Sequence, residues 1–332
     1  MSIFHRRALL IIHCSMTAVL CSIVAVSCNM GQQPKPDFLQ YYDLYSIGAD
    51  GSGQKHLAEN ANAFFLVTHD AIIYADRSNG IIQMNHDGSN FQKRYSWLPD
   101  ISLTSSHDGA NLLLASIPMD FSSTNFYLIS PDGNNLQQKA SIGEFVWQAQ
   151  ISPDLSEIVY TSRGNIKTLG LNDSRNQLIR SVGDSSVFPS FTYFYDDHTI
   201  IYGGSTDSLP VVGIIDIETK AEKIATTGFP TDPYGRILSG TRLLIADRGL
   251  IKTIDLSSLE ITTLAEGWDA SFSNDGTFIV FSNGRTISIM NSDGSNPRAV
   301  YTETDAKRSI ENPKLTPDNR NIIYCSVYTE YR

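Results

Sequence analysis

The sequence predicts an all-β fold: a seven-bladed β-propeller of four-stranded antiparallel blades, the last blade closed by both termini with two strands from each. Three observations predict it. A hairpin with a tight polar turn and an apolar second strand occurs seven times, with turns at Asp70, Asp108, Asp154, Asp197, Gly240, Asp275 and Asp318, at intervals of 38, 46, 43, 43, 35 and 43 residues. A second hairpin also occurs seven times, beginning at Tyr42, Ile81, Phe126, Ile166, Val211, Leu250 and Ile287. A period of about 40 residues built from four short strands is the signature of a propeller blade. The two sets are out of phase at the ends of the chain, which opens on a second hairpin (residues 42–58) and finishes on a first hairpin (residues 312–328). Joined, these make the seventh blade, and that closure removes the edges the two chain ends would otherwise leave exposed.

The clearest copy of the unit is residues 269–301, DASFSNDGTFIVFSNGRTISIMNSDGSNPRAVY. Residues 270–273 and 277–281 read as a strand pair about the turn Asn274-Asp275-Gly276, because β-branched and aromatic residues flank a tight-turn signal. Asn283-Gly284-Arg285 turns the chain into a third strand, and Asp293-Gly294-Ser295 into a fourth. Gly and Asp/Asn are placed where a turn needs positive φ or a side chain that caps backbone N–H groups. Six whole blades are expected at 62–96, 101–140, 147–180, 187–226, 232–266 and 268–303.

Ahead of the repeats, residues 1–28 read as an address. His5-Arg6-Arg7 is a basic lead, residues 8–26 form a mostly apolar run with no charge, and Ser27-Cys28 follows. Ala25-Val26-Ser27-Cys28 resembles a bacterial lipobox, which implies that Cys28 is diacylated and becomes the mature N-terminus. A signal-anchor helix is the competing reading, since the run is long enough to span a bilayer. Asn29 stands where an inner-membrane retention signal would carry Asp, which points to an outer-membrane destination, on its periplasmic or surface side. Residues 29–40 contain the Pro-rich stretch QQPKPDF and read as a flexible tether. Residues 41–332 show no further linker and read as one domain, long enough to bury a large core.

Composition narrows the function. Net charge is −10, and loss of Arg6 and Arg7 with the leader makes it −12. An acidic domain with no basic stripe argues against nucleic acid and against electrostatic adhesion to anionic lipid, so membrane contact is expected only through the anchor. Of the four Cys, Cys14 and Cys21 leave with the leader and Cys28 carries lipid. Cys325 remains alone in an apolar run and reads as a buried, inert thiol.

Turns of the SPDG type followed by an apolar strand, and strands such as Ile287-Ser288-Ile289-Met290-Asn291 followed by Asp293-Gly294-Ser295, resemble the TolB-type propeller repeat. Residues 72–90, IIYADRSNGIIQMNHDGSN, are similar to the YWTD repeat of receptor propellers. Blades four and five depart from the pattern, losing the Asp-Gly turn to Ile217-Glu218-Thr219 and Leu256-Ser257-Ser258. The resemblance implies the fold throughout the mature chain, but relatives of this type include envelope scaffolds, protease-associated domains and sugar lyases.

In a four-stranded meander the first and third turns lie at one end, and the second turn and the inter-blade link at the other. Arg77, Arg163, Arg248 and Arg285 fall in or beside second turns. Trp147 and Trp268 share one register at the link, W-x-A-x-[I/F]-S-x-D, and Trp97 lies in another link. Flat apolar area beside fork-shaped donors is what a peptide-, glycan- or anion-binding mouth needs. The blander reading is that each Arg pairs with Asp76 or Asp247 nearby and each Trp packs between blades.

No catalytic residue, metal site or cofactor is assigned. His56, His69, His86, His107 and His198 lack metal-ligand spacing, although His69 and His107 would sit on neighbouring blades of the Asp-turn face. No GxSxG seats a nucleophile. The resulting expectation is a monomeric, lipid-anchored envelope propeller that binds another envelope protein; the alternative is binding or lyase-type cleavage of an acidic polysaccharide through the funnel. Replacing Cys28 by Ala is expected to abolish acyl labelling in a bacterial host, and persistent labelling would rule the lipobox out.

Overall fold

The structure is a computed structural model that describes residues 38–59, 61, 65–76, 80–95, 101–105, 111–118, 121–130, 135–146, 148–181, 188–205, 210–227, 229–230 and 238–331. The leader and residues 29–37 lie outside these. Among the described residues every regular element is a strand, and the strands form seven antiparallel sheets. Strands β1 (Phe38–Gly48) and β2 (Lys55–Ala58) come first in the chain. Blade one is β3 (Phe65–Val67), β4 (Ile72–Asp76), β5 (Gly80–Met84) and β6 (Gln92–Tyr95). Blade two is β7 (Ile101–Ser105), β8 (Leu112–Ser116), β9 (Thr124–Ile129) and β10 (Gln137–Ile142). Blade three is β11 (Gln148–Ile151), β12 (Glu157–Ser162), β13 (Asn165–Gly170) and β14 (Asn176–Arg180). Blade four is β15 (Phe188–Phe194), β16 (Thr199–Ser205), β17 (Pro210–Asp216) and β18 (Glu222–Thr227).

Blade five departs from the four-strand plan. Its inner position is shared by two short strands, β19 (Phe229–Pro230) and β20 (Leu238–Ser239), which both pair with β21 (Arg242–Asp247), followed by β22 (Leu250–Asp255) and β23 (Ile261–Glu266). The blade therefore begins at Phe229 rather than at the expected residue 232. Blade six is β24 (Ala270–Phe272), β25 (Phe278–Asn283), β26 (Thr286–Asn291) and β27 (Arg298–Thr302). The seventh blade is the expected composite, in the order β2-β1-β29-β28, with β28 (Arg308–Leu315) and β29 (Asn321–Tyr331) supplied by the C-terminus. Strand β1 starts at Phe38, so residues 38–40 of the expected tether are strand instead: Phe-Leu-Gln-Tyr-Tyr continues the β-forming pattern of the hairpin without a break.

The second strand of each blade reads as a continuous apolar run because both of its faces are buried. In β12, Ile158 and Tyr160 pack with Leu113, Ala115 and Phe126 of blade two, while Val159 between them packs with Phe194 and Ile200 of blade four. The same alternation produces seven hydrophobic clusters, each shared by two neighbouring blades. Around the axis, inner strands are tied sideways by side chains. Thr104 Oγ1 donates to the Ala149 carbonyl at 2.9 Å, Gln150 Oε1 accepts from Phe194 N–H at 2.8 Å, and Ser271 Oγ donates to the Pro313 carbonyl at 2.9 Å. Lys314 Nζ donates to the Phe65 carbonyl at 2.6 Å and sits 4.9 Å from the Phe65 ring centroid.

The composite blade is closed by side chains as well as by its ladder. Leu44 shares a core with Cys325 and Val327, Tyr45 stacks on Tyr324 at 5.7 Å, and Gln54 Nε2 donates to the Tyr324 hydroxyl at 2.6 Å. Arg308 Nη1 reaches both Asp43 and Ser326, at 3.2 and 3.0 Å. Cys325 is fully buried and unbridged, as expected, and burial holds its thiol far above the ordinary value.

Asp residues cap the turns of one face. Asp275 Oδ1 accepts from Thr277 N–H, Thr277 Oγ1 and Ser273 Oγ, and Asp154 from the corresponding Ser156 and Ser152 groups. Third turns repeat the device at Asp50, Asp87 and Asp293 with Ser52, Ser89 and Ser295. Blades four and five keep it despite losing the Asp-Gly pair: Asp216 caps Thr219, and Asp255 caps Ser257 and Ser258. Neighbouring first turns are also linked, Asp154 N–H to Asp197 and Asn319 Nδ2 to Asp275. In all seven blades the outer strand pair carries a register shift, for example between Ile166 and Lys167 and between Ile287 and Ser288.

Packing rather than φ demands glycine at Gly203, where a Cβ would lie 1.5 Å from the Phe191 ring, and at Gly213. Gly213 stands opposite Tyr202, and a Cβ there would lie 2.3 Å from the phenol ring. Gly213→Ala is expected to cost about 1–3 kcal/mol through overpacking, read as a lowered urea midpoint with an unchanged slope. An unchanged midpoint would mean that the Tyr202 ring can move aside.

Candidate functional site

The Arg-bearing turns are built by hairpin geometry. In β12–β13 the pair Ser162–Asn165 encloses Arg163 and Gly164, both at positive φ (50° and 77°), and in β21–β22 the pair Asp247–Leu250 encloses Arg248 and Gly249 (52° and 79°). These are two-residue turns that match the twist of the flanking strands. The left-handed conformation costs an Arg roughly 1–2 kcal/mol, and the tight turn imposes it. In β25–β26 the enclosed pair is Gly284 and Arg285, and there only the glycine is at positive φ. All three Arg side chains project into solvent.

Trp268 lies between two of these turns. Its ring is 3.7 Å from where a Cβ on Gly249 would stand and 3.8 Å from where one on Gly284 would stand, so it bridges the second turns of blades five and six. The Trp268 backbone N–H donates to the Ser282 carbonyl at 3.1 Å, which fixes the link, yet 44% of the residue remains exposed. Arg248 does not simply neutralise Asp247. Asp247 Oδ2 accepts from Lys252 Nζ at 2.7 Å, whereas Arg248 Nε stands 3.8 Å from Oδ1 with its side chain 81% exposed. Arg285 and Arg163 have no side-chain partner among the described residues.

The structure therefore brings together Trp268, Arg248 and Arg285, and puts Arg163 on the equivalent turn of blade three. Arg77, Trp97 and Trp147 lie outside the described residues. His69 Nδ1 stands 2.7 Å from Asp70 Oδ1 in an exposed pair, and His86 Nε2 lies 3.1 Å from the Thr68 carbonyl. His107 lies outside the described residues. Among the described residues no group of three or more His, Cys, Asp or Glu is arranged to hold a metal ion.

Sequence reasoning missed one carboxylate beside this face. A backbone bond from Ile310 N–H to the Gly284 carbonyl, at 2.6 Å, docks the start of β28 against the turn of blade six. Glu311 follows on β28, opposite Cys325, and has no hydrogen-bond partner among the described residues. Burial pushes its carboxyl up from the ordinary value. Its only mark in the sequence is a Glu placed before Asn312-Pro313, where a register shift interrupts the pairing of β28 with β29.

No protein-family model matches the chain, and no curated protein matches it by sequence. Solved structures of the same architecture include a puromycin-hydrolysing peptidase of Mycobacterium tuberculosis, at TM-score 0.57 and 10% identity, covering 82% of this chain and 53% of that one. TolB from Acinetobacter baumannii is similar at TM-score 0.49 and 16% identity over 87% of this chain, which spans 64% of that TolB. A putative TolB from Agrobacterium tumefaciens gives 0.47 and 13%, covering 89% of this chain and 99% of that one. Likenesses at these identities speak to the fold alone.

Glu311 generates a pH-dependent prediction. A carboxyl that titrates higher in the folded than in the unfolded chain leaves stability intact below the unfolded value, about 4.3, and erodes it as pH rises towards the folded value. Glu311→Gln is expected to raise the melting temperature at pH 7 and to leave it nearly unchanged at pH 4. Equal melting temperatures for the two proteins at both pH values would show that the carboxyl is not penalised.

Proposed function

We propose that the protein is a lipid-anchored envelope propeller that acts by binding another envelope protein, without catalysis, through the face that carries Trp268, Arg248 and Arg285. In this reading residues 1–28 direct export and lipidation at Cys28, the following segment is a tether, and the anchor sits in the outer membrane. The supporting observation is the exposure of Trp268: a large aromatic lying between two turns, each of which carries an exposed Arg, is the composition of a binding hot spot. The opposite face is less suited to the role, because its carboxylates are occupied by their own turns. The same Trp and guanidinium pair favours a second reading, an acidic polysaccharide, since a sugar face stacks on an indole while its carboxylates meet the forks.

Crosslinking and capture from native envelopes tests the first reading, with wild type run beside Trp268→Ala and Arg248→Ala/Arg285→Ala variants whose melting is unchanged. A protein captured by wild type, purified and re-titrated, is expected to bind Trp268→Ala about 30-fold more weakly, as loss of about 2 kcal/mol at a hot spot requires. Equal affinity for the variants sinks the assignment of this face. If no protein is captured while polyuronate binds wild type and not the variants, the second reading replaces the first.

A further inference from the structure

The outer halves of the blade junctions differ from one another, and one difference falls at a repeat position in the outer strand. In blades two, three, five and six, one residue of the outer strand stands opposite the residue that follows the last pair between the second and third strands. That position is Arg180 in blade three, Tyr301 in blade six, Ala265 in blade five and Ala140 in blade two, opposite Ile166, Ile287, Ile251 and Phe126. Between blades three and four, Arg180 lies 5.1 Å from the Tyr202 ring centroid and donates to Glu222 at 2.9 Å, and Glu222 accepts the Tyr202 hydroxyl. Between blades six and seven, Tyr301 packs on Tyr324 at 6.0 Å. Between blades five and six, Ala265 and Phe281 belong to one all-apolar cluster. Between blades two and three, Ala140 leaves space in front of a tyrosine that still carries its hydroxyl, Tyr160.

Two further exchanges line that space. Lys167 stands opposite Tyr160 where Gly213 stands opposite Tyr202, and Asn176 occupies the register of Glu222. The outcome is a groove of about 480 Å³ running along β10 and β13, with Arg163 and Lys167 among the residues that line it. Its polar floor is organised: Lys167 Nζ bonds both Glu144 oxygens at 2.9 and 2.8 Å, the Tyr160 hydroxyl donates to Glu144 at 2.8 Å, and Asn176 Nδ2 donates to the Tyr160 oxygen at 2.8 Å. Burial pushes the Glu144 carboxyl up, but Lys167 and Tyr160 outweigh it and hold it below its usual value, so it stays an acceptor. Ser141 and Ser174 add hydroxyls to the walls.

We propose that this groove is a binding site for a small hydroxylated carboxylate, whose acid group pairs with Arg163 and whose hydroxyls bond the Glu144, Lys167 and Asn176 floor. Arg163 has no partner among the described residues and offers a planar fork for a carboxylate. Lys167 and Asn176 each keep an N–H group beyond their bonds to Glu144 and to the Tyr160 oxygen, while Glu144 accepts, so the floor offers hydroxyls both donors and acceptors. The volume falls within the range of small-molecule sites. The groove lies between blades two and three, and the proposal is independent of the Trp268 face.

Titration calorimetry on the purified full-length chain tests it with D-gluconate as probe, sorbitol as the hydroxylated neutral control and acetate as the carboxylate without hydroxyls. Saturable gluconate binding is expected near about 1 mM, with each control at least about tenfold weaker. Arg163→Gln is expected to weaken gluconate at least about tenfold. Ala140→Arg, which fills the groove as Arg180 does in the next junction, is expected to abolish binding. Should Ala140→Arg fail to fold, the Arg163→Gln result decides alone. Absence of saturation up to about 50 mM gluconate, or equal binding by wild type and Arg163→Gln, overturns the proposal.

Discussion

The double burial of the second strand in each blade is the constraint from which the rest of the molecule follows. A blade of four strands has two apolar faces and no core of its own; Ile158 and Tyr160 belong to one cluster and Val159 to the next. Each such side chain contributes roughly 1.5–3 kcal/mol on burial, but only when the neighbouring blade is in place. A linear array would leave two faces wet at its ends. Closure of the ring by β1 and β29 removes both, so the pairing of the two ends of the chain stabilises blades that neither end touches.

With both faces of every blade committed, chemistry is confined to the strand ends and to the margins between blades. The two ends are unequal. On one, the Asp carboxylates are taken up by Ser and Thr hydroxyls and by backbone N–H groups two or three residues on, which holds Asp154, Asp275, Asp293 and others below the ordinary carboxylate value. On the other, the described turns of blades three, five and six carry guanidinium groups at the ends of long side chains, which only donate and so cannot accept from the N–H groups of their own turns. The first end is built to be stable, and the second is left able to engage something else.

The repeat made the architecture readable in advance. Period, strand count and the phase offset at the termini are properties of spacing alone, and the composite blade appears where residues 42–58 and 312–328 were expected to meet. Trp268 was readable for the same reason, since its register relative to the hairpin placed it at the link. The interrupted inner strand of blade five was not, because Phe229 and Pro230 lie well before the hairpin that defines the blade. Nor was the capping by Asp216 and Asp255 legible, because the carboxylate had moved along the turn while the Asp-Gly signal disappeared. Glu311 and the groove below Ala140 depend on which side chains from distant blades share a space. An Ala in an outer strand carries no sign of a vacancy until the register shows Arg180 in the same place.

The register shift common to all seven outer pairs bears on how the molecule behaves in a crowd of its own copies. Each blade ends in an outer strand with one unpaired edge, so the ring radiates seven edges and would be a seven-valent nucleus for lateral growth. A straight edge would accept a strand from another ring, and sheets of rings would spread in the plane. The extra residue opposite the same point of each pair bends and twists the edge away from a flat template. A repeat that multiplies a hazard sevenfold thus multiplies its suppression by the same factor, within the outer pair itself and without a residue that faces solvent having to change.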